Sequence, residues 1–333
     1  MKTIFGTFRK YASKDLSAKQ RLSSPDLVWF MVGGKVVKIV GGPSSVELAN
    51  KLSESLKMPL VETRTKRFPD GEFYFKFDED ISGEDLLIVQ SLYPPQDTHL
   101  MELFVIVHTA RDLAAKSIRA FVPYLAYSRQ DERYLDGECL SSAMIAQVLE
   151  TLHISALYTV DVHNMDVLKK YNVPALNLTA AVQLARYFAS RDLQYPFVVA
   201  PDDEEFAIRR AEWAANAINA DYDYFRKERD KYTGEIKTFR KRLDVSGRDV
   251  VIIDDIISTG ETAANAARFL KEQGARRVFA GVSHALLHGG ALTILKEAGI
   301  EEIVGTDSVV NEFAKVSVAP VLTEALRKEL DLP

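Results

Sequence analysis

Short apolar runs alternate with longer amphipathic segments from Lys35 onward. Runs of Val, Ile, Leu and Phe bounded by polar residues or Gly predict β-strands, and apolar positions spaced three and four apart over ten or more residues predict helices. The predicted strands are 36–41, 85–91, 118–125, 156–163, 197–202, 249–255, 277–284 and 302–308. The predicted helices are 44–57, 98–116, 141–152, 180–189, 204–217, 262–273 and 290–298.

This alternation of strands and helices predicts an α/β fold with parallel sheets. Near-continuous apolar runs such as Val250–Ile253 are typical of strands that are buried on both faces. We expect two similar domains, each a mainly parallel sheet with helices on both faces, with the break near Pro174. The predicted limits are 35–178 for the first domain and 179–321 for the second, followed by a C-terminal helix at 322–333 that packs back on the first domain.

Composition excludes several classes of protein. The 333 residues are 47% apolar, which is enough for two cores, and the net charge of −5 argues against a protein that mainly neutralises nucleic-acid phosphates. Cys139 is the single cysteine, so we expect neither disulfides nor a cysteine-based zinc site, and a reducing cytoplasm fits best. No segment approaches the roughly 18 consecutive apolar residues of a membrane span. We therefore expect a cytoplasmic protein with no nucleic-acid or membrane partner.

Residues 1–34 differ from the rest of the chain. They carry six Lys or Arg against two acidic residues, with no strong periodicity. We predict a poorly ordered N-terminal extension; a targeting peptide, or a start at Met31, is the alternative. No candidate functional residue lies in this segment.

Ionisable residues gather where several predicted strands end. Asp161 and His163 close one strand, Asp202 another, and Asp254 with Asp255 a third. Open α/β sheets bind their ligands beyond the carboxyl ends of the strands. A lone His is often structural, but its position at a strand end beside Asp161 favours a ligand. These residues therefore predict a binding site at one edge of the sheets.

The stretch Ser-Thr-Gly-Glu-Thr at 258–262 separates the third of these strands from a predicted helix. Unpaired N–H groups and the dipole at a helix N-terminus favour a bound anion, so the stretch predicts a phosphate site. Asp254 and Asp255 are suited instead to accept hydrogen bonds from sugar hydroxyls or to hold a hard cation such as Mg²⁺. Together they indicate a sugar phosphate. The alternative is that Thr259 or Thr262 only caps the helix while both acids face solvent.

The stretch VVIIDDIISTGET (250–262) resembles the phosphoribosyl-pyrophosphate loop shared by type I phosphoribosyltransferases and ribose-phosphate pyrophosphokinases. Read alone, the other relevant stretches have plainer interpretations, as a hairpin turn, a charged loop, a structural His and a mixed-charge surface segment. In their order along the chain, however, they resemble the pyrophosphokinases and not the transferases. These stretches are RFPDGEFYFKF (67–77), VPYLAYSRQDER (122–133), TVDVHN (159–164) and FRKERDKY (225–232).

The resemblance implies a phosphoribosyltransferase-like fold and an ATP-dependent reaction with Mg²⁺ as cofactor. The β,γ-diphosphoryl group of ATP would move to the C1 hydroxyl of ribose 5-phosphate, giving 5-phosphoribosyl 1-diphosphate and AMP. The implied residues form four groups: catalytic Lys227 and Arg229; metal-binding His163 and Asp202; ATP-binding Phe68, Asp70, Gly71, Glu72, Arg129 and Gln130; and ribose-5-phosphate-binding Asp254, Asp255, Ser258, Thr259, Gly260, Glu261 and Thr262.

The resemblance also implies a homo-oligomer in which the 67–77 hairpin lies near a neighbouring subunit. The aromatic residues of this hairpin are consistent with a buried subunit contact, if they are exposed on the single chain. They are Phe73, Tyr74, Phe75 and Phe77.

Two other functions stay open. Asp203-Glu204-Glu205 stands where the family usually has small residues and Gly, which favours a non-catalytic regulatory homologue. The presence of His163, Lys227 and Arg229 argues against that reading. A phosphoribosyltransferase is the third hypothesis, but the stretches that resemble ATP-binding motifs would have no role in it.

Overall fold

A computed structural model describes residues 37–133, 135–229, 236–239 and 241–331, with 227–229 and 236–239 described as backbone only. The predicted N-terminal extension, residues 1–34, lies outside the described residues. The strands are β1 (Val37–Gly41), β2 (Thr63–Arg67), β3 (Phe73–Phe77), β4 (Asp85–Val89), β5 (Ser117–Phe121), β6 (Ala156–Val160), β7 (Ala175–Leu178), β8 (Phe197–Ala200), β9 (Asp221–Tyr224), β10 (Arg226–Arg229), β11 (Ile236–Phe239), β12 (Asp249–Ile257), β13 (Arg277–Ala285), β14 (Ile300–Thr306) and β15 (Ala314–Val316).

Eight α-helices and one 3₁₀-helix connect these strands in the described part of the chain. The α-helices are α1 (Val46–Leu56), α2 (Gln96–Asp112), α3 (Ser141–Thr151), α4 (Ala181–Ala189), α5 (Glu205–Ala217), α6 (Glu261–Glu272), α7 (Ala291–Glu297) and α8 (Ala319–Glu329), and the 3₁₀-helix is Met165–Lys170. No helix among the described residues is both long enough and apolar enough to cross a membrane.

Two parallel sheets organise these elements. The first has the strand order β1-β4-β5-β6-β7 and the second β15-β14-β13-β12-β8-β9. Every neighbouring pair in both sheets is parallel, and antiparallel pairing occurs in the separate hairpins β2–β3 and β10–β11. The predicted α/β class with mainly parallel sheets is confirmed. The limits predicted for the two domains stay predictions.

Side chains of the sheets are buried on both faces because helices cover each side. In β1, Ile39 packs in one apolar cluster with residues of α1 and α8, and Val40 packs in another with residues of α2 and α3. In β12, Ile253 packs in a cluster with residues of α4 and α5, and Ile252 packs in another with residues of α6 and α7. Each fully buried side chain of this size stabilises the fold by about 1.5–3 kcal/mol.

The predicted end of the third site strand is wrong. We expected it to stop at Asp255, but β12 continues to Ile257 because Ile256 pairs with His284 and Ile257 with Ala285 of β13. The two aspartates therefore lie inside a strand that is buried along its whole length. Their backbone is fixed by the sheet and not by a loop.

One further expectation needs correction. In the hairpin, Phe75 and Phe77 are buried in the apolar cluster of this chain, so the aromatic run is not an exposed patch; Tyr74 is exposed. The sequence analysis also missed a strand, β7, which forms the edge of the first sheet beside β6 and ends at Leu178. Apolar residues of β7 alternate with polar ones over too short a length to predict a strand.

The C-terminal helix begins earlier than predicted, at Ala319, and packs against α1 beside the first sheet. Glu329 of α8 accepts a hydrogen bond from Arg119 Nε (3.2 Å) and another from the hydroxyl of Tyr158. Arg119 belongs to β5 and its side chain is only 4% exposed. Glu329 therefore neutralises a buried charge of the first sheet.

Replacing Glu329 with Gln is expected to lower the free energy of unfolding by about 1–3 kcal/mol, because it leaves the buried Arg119 without its counter-charge. The matched control is Glu324→Gln in the same helix. Glu324 pairs with Lys328 at the surface, where the loss is expected to stay below about 0.5 kcal/mol. Denaturant unfolding measures both, and equal losses would contradict the role given to Glu329.

Candidate functional site

A cavity of about 690 Å³ opens beyond the carboxyl ends of β6, β8 and β12. Open parallel sheets present their ligand sites at this edge because the loops leaving the strands converge there. The described residues that line it are Arg129, Gln130, Asp131, Glu132, Glu138, His163, Asn164, Asp202, Asp203, Glu204, Asp254, Asp255, Ile256, Ile257, Ser258, Thr259, Gly260, Glu261, Thr262 and Ala263.

Most of the site residues predicted from the sequence meet in this cavity. The exceptions are the hairpin residues Phe68, Asp70, Gly71 and Glu72, which do not line it, and Lys227 with Arg229, whose side chains lie outside the described residues. The backbone of Lys227 and Arg229 belongs to β10, paired with Thr238 and Ile236 of β11. The expected catalytic loop therefore has strand structure at these two positions.

The backbone of the loop 258–262, the predicted phosphate site, is fixed by a hydrogen bond and by the conformation of Gly260. The carbonyl of Ser258 accepts a hydrogen bond from the N–H of His288 (2.9 Å), and Gly260 adopts φ +84°, a left-handed conformation that favours glycine. Helix α6 starts at Glu261 with Gly260 as N-cap, so no side chain caps it. The alternative that Thr259 or Thr262 caps the helix is wrong. The first N–H groups of α6 are left for a ligand at the cavity wall.

Replacing Gly260 with Ala is expected to raise the KM for ribose 5-phosphate by about 10-fold. The new Cβ would lie 3.1 Å from Leu295 Cγ in a backbone conformation that L-residues disfavour, so the loop must shift. Gly83→Ala is the control, because Gly83 has φ +74° but a Cβ added there would meet no atom within 4 Å. Steady-state kinetics should show no change in that variant.

Asp254 and Asp255 have opposite electrostatic surroundings. Burial, together with the charge of Asp255, raises the pKa of Asp254 well above its usual range. Burial would also raise the pKa of Asp255, but the charges of Arg210 and His163 outweigh it and hold that pKa below its usual range. The N–H of Asp255 donates to Asp254 Oδ1 at 2.9 Å. Asp255 therefore stays ionised to lower pH than Asp254 does.

His163 follows β6 of the first sheet, and its side chain contacts Asp255 of the second sheet. Its Nδ1 lies 2.9 Å from Asp255 Oδ2, and the ionised carboxylate makes that nitrogen the donor. The hydrogen bond to Asp255 raises the pKa of His163 despite burial. Nε2 is the ring nitrogen that this bond leaves for a ligand.

Arg210 is the site residue that the sequence analysis missed. It lies on α5, and its Nη2 donates to Asp255 Oδ1 (3.1 Å) and lies 3.9 Å from Asp254 Oδ1. A signal was present in the sequence, because Arg210 falls on the buried face of α5 with Ala207, Ala211 and Ala214. A charged residue at helical spacing with small apolar ones indicates a buried ion pair.

The Arg-Gln stretch also lines the cavity. Arg129 and Gln130 both belong to its lining, and the side-chain oxygen of Gln130 accepts hydrogen bonds from Ser141 Oγ (2.7 Å) and Cys139 Sγ (2.8 Å). These bonds orient the amide of Gln130. An Arg beside an oriented amide can bind phosphate oxygens or a base.

The hairpin presents an aromatic ring away from this cavity. Phe68 is 40% exposed, and its ring packs edge-on against Tyr74 at 6.0 Å between centroids. The ammonium group of Lys66 lies 4.6 Å from the centre of the Phe68 ring. Asp70 Oδ1 accepts the N–H of Glu72 (3.2 Å), and Gly71 adopts φ +96°, which closes the turn. The turn interpretation therefore holds, and it leaves the Phe68 ring available for contact.

The cavity is strongly acidic. Nine of its lining residues in the described part of the chain are Asp or Glu, and Arg129 is the one Lys or Arg. A polyphosphate can enter such a site only with cations. Among the described residues no group of three His, Cys, Asp or Glu side chains is placed to hold a metal ion. Mg²⁺ usually takes one or two protein carboxylates together with substrate phosphates, and Asp202 brings one carboxylate to the cavity. His163 brings a ring nitrogen to the same cavity.

Comparisons with known proteins identify the family of this chain. Residues 37–152 match a family model described as the N-terminal domain of ribose phosphate pyrophosphokinase, and residues 239–328 match one described as the phosphoribosyl synthetase-associated domain. A protein named ribose-phosphate pyrophosphokinase from Saccharolobus solfataricus is 42% identical over 272 residues, which cover 81% of this chain and 92% of that protein. The protein of the same name from Methanopyrus kandleri is 39% identical over 289 residues, covering 86% and 98%.

A crystal structure of phosphoribosylpyrophosphate synthetase from Mycobacterium smegmatis has the same fold. It is 26% identical, has a TM-score of 0.77 and covers 90% of this chain and 100% of that one. The family resemblance predicted from the sequence is confirmed. The chain belongs to the ribose-phosphate pyrophosphokinase family.

Proposed function

We propose that the cavity catalyses transfer of the β,γ-diphosphoryl group of ATP to the C1 hydroxyl of ribose 5-phosphate, giving 5-phosphoribosyl 1-diphosphate and AMP. The observation that carries the proposal is the shared cavity. Its lining includes the N-terminus of α6 and the aspartate pair as well as Arg129 and Gln130. A sugar phosphate and a nucleotide would therefore share one cavity, which brings donor and acceptor together for transfer.

Ribose 5-phosphate binds at the β12–α6 end. Its phosphate accepts hydrogen bonds from N–H groups and hydroxyls of residues 258–262, and its ring hydroxyls donate to Asp254. Both oxygens of Asp255 already accept hydrogen bonds, one from Arg210 and one from His163. Asp255 therefore contributes to the sugar site mainly through its N–H, which donates to Asp254 Oδ1. This division differs from the equal roles that the sequence analysis gave to the two acids.

Mg²⁺ is proposed at His163 and Asp202, where it would neutralise part of the charge on the diphosphoryl oxygens. Asp203 and Glu204 also line the cavity and add negative charge. Lys227 and Arg229 are proposed to stabilise the charge that develops on the transferring group. Phosphoryl transfer requires mainly such positioning and charge neutralisation.

ATP is proposed to bind through Arg129 and Gln130, with its adenine against Phe68 and the turn Asp70–Glu72 of a neighbouring subunit. The exposed ring of Phe68 supports this, since within one chain the hairpin does not line the cavity. A homo-oligomer is part of the proposal. A cytoplasmic location is also proposed, and the exposed free thiol of Cys139 supports a reducing compartment.

The test is phosphorus NMR of the purified protein with ATP, ribose 5-phosphate, Mg²⁺ and inorganic phosphate. We expect a diphosphoryl group on ribose C1 and an equal amount of AMP. Intact ATP under these conditions would favour the regulatory homologue, in which the acids at 203 and 204 prevent turnover. Conversion of added 5-phosphoribosyl 1-diphosphate and a purine base would instead indicate a phosphoribosyltransferase.

Replacing Asp254 with Ala is expected to lower kcat/KM for ribose 5-phosphate by about 100-fold, because the sugar hydroxyls lose a buried carboxyl partner. ATP binding, measured by calorimetry, should change less than threefold. Asp221→Ala is the control, since Asp221 is a surface residue paired with Arg248. Equal losses for the sugar and for ATP would contradict the assignment of Asp254 to ribose.

A further inference from the structure

A chain of hydrogen bonds runs from α5 across the second sheet to the first. Arg210 Nη2 donates to Asp255 Oδ1 at 3.1 Å, and Asp255 Oδ2 accepts from His163 Nδ1 at 2.9 Å. The Arg210 side chain is only 3% exposed and does not line the cavity, so it is not placed to contact a bound substrate. His163, with a side chain 36% exposed, is the member of the chain that lines the cavity most openly.

Arg210 is buried among polar groups that are only partly hydrogen-bonded. Its Nε and Nη1 are buried and find no hydrogen-bond partner among the described residues, and the same is true of Asp161 Oδ1. Asp161 precedes His163 by two residues and adopts φ +40°, a disfavoured conformation for a residue with a side chain. Its other oxygen accepts from the N–H of Ala180 at 2.9 Å and from Ser283. Although burial lowers the pKa of Arg210, the charges of Asp255, Asp161 and Asp254 raise it above its usual range, so carboxylates of both sheets act on one guanidinium group.

A buried charge kept in place without full hydrogen bonding reduces stability compared with an apolar residue of the same size. Packing alone gives no reason for Arg at this position, because the neighbouring buried positions of α5 are Ala207, Ala211 and Ala214. A requirement for its charge at Asp255 does give a reason.

We infer that Arg210 is a positioning residue, which fixes the carboxylate of Asp255 and through it the ring of His163. With one oxygen held by Arg210, Asp255 presents the other to Nδ1–H. The ring is then fixed with Nε2 towards the cavity, where a metal ion or a phosphate can meet it. Carboxylates behind a metal-binding His commonly set its tautomer in this way, and changing them costs about 10–100-fold in affinity or activity. The effect on turnover rests on the proposed function, whereas the effect on the ring does not.

The first measurement is the ¹⁵N chemical shift of the His163 ring in substrate-free protein at a pH where the ring is neutral, assigned with His163→Asn. We expect the Nδ1–H tautomer in the unmodified protein and a mixture in Arg210→Met. Arg209→Met is the matched control, because Arg209 is the preceding residue, 55% exposed and paired with Glu205 at the surface. The Nδ1–H tautomer retained in folded Arg210→Met would overturn the inference, whether or not the protein makes 5-phosphoribosyl 1-diphosphate.

The second measurement is a double-mutant cycle in the steady-state assay. Arg210→Met is expected to lower kcat by about 10–100-fold with little change in the KM for ATP. If Arg210 acts through Asp255, the variant with both Arg210→Met and Asp255→Asn should be no slower than Asp255→Asn alone. Losses that multiply in the double variant would overturn the inference.

Arg210→Lys keeps the positive charge and is expected to recover the Nδ1–H tautomer and most of kcat. If Arg210→Met does not fold, Arg210→Gln is measured in its place, because Gln is polar but too short to reach Asp255. Its amide nitrogen ends near the position of Arg210 Nε, which finds no hydrogen-bond partner among the described residues. The same outcomes then support or overturn the inference.

Discussion

Replacing Lys227 with Ala is expected to lower kcat by about 10³–10⁵-fold, the range found for positive groups that stabilise transferring phosphoryl groups. The residue would act only as charge develops on the diphosphoryl group, so kcat and kcat/KM should fall together while the Kd for ATP stays nearly unchanged. Arg229→Ala should have an effect of the same kind. Rapid-quench kinetics with radiolabelled ATP measures the transfer step directly.

Arg226→Ala is the control for this prediction. Arg226 is exposed and precedes Lys227 in the same strand, β10, but the family resemblance gives it no catalytic role. We therefore expect less than a threefold change in Arg226→Ala. Similar losses in all three variants would indicate a general charge effect and contradict a catalytic role.

Replacing Asp255 with Asn is expected to reduce the free energy of unfolding by about 3–5 kcal/mol, because the buried guanidinium of Arg210 loses its nearest counter-charge. Asn has almost the same shape as Asp, so the loss would come from charge and not from a cavity. Chemical unfolding at pH 7 gives the value. A loss below about 1 kcal/mol would show that Asp254, 3.9 Å from Arg210 Nη2, replaces Asp255 as the counter-charge.

The two acids should also respond to pH in opposite directions. The pKa of Asp255 is lowered by folding, so its contribution to stability is present above the unfolded pKa of about 4 and is lost as pH falls further. The pKa of Asp254 is raised, so this group destabilises the fold as pH rises above about 4. Asp254→Asn should therefore be more stable than the unmodified protein at pH 7. Unfolding of both Asn variants from pH 3 to 7 tests the two signs.

The parts of the site that could be predicted from the sequence are local. The loop 258–262 was predicted to bind phosphate because a Gly-containing turn before a helix exposes N–H groups wherever the fold places it. Asp202 and His163 were predicted as site residues because they follow apolar runs, and both line the cavity. Arg210 was missed because its significance depends on Asp255, which is 45 residues away in the sequence. A single sequence shows no such pairing.

The amino-acid pattern by itself determined the α/β class, the order of the eight predicted strands and the helices between them, and the residues at the carboxyl ends of β6 and β8; it missed the short strands β7, β9 and β15. Local periodicity and turn chemistry were sufficient for these features. Only the tertiary structure decided that β12 runs on to Ile257, that the hairpin aromatics Phe75 and Phe77 are core residues, and that folding raises the pKa of Asp254 and lowers the pKa of Asp255. The length of a strand depends on the neighbouring strand with which it pairs, and the burial of a side chain depends on the elements that pack against it. The pKa of a carboxylate depends on burial and on the charges that folding brings near it.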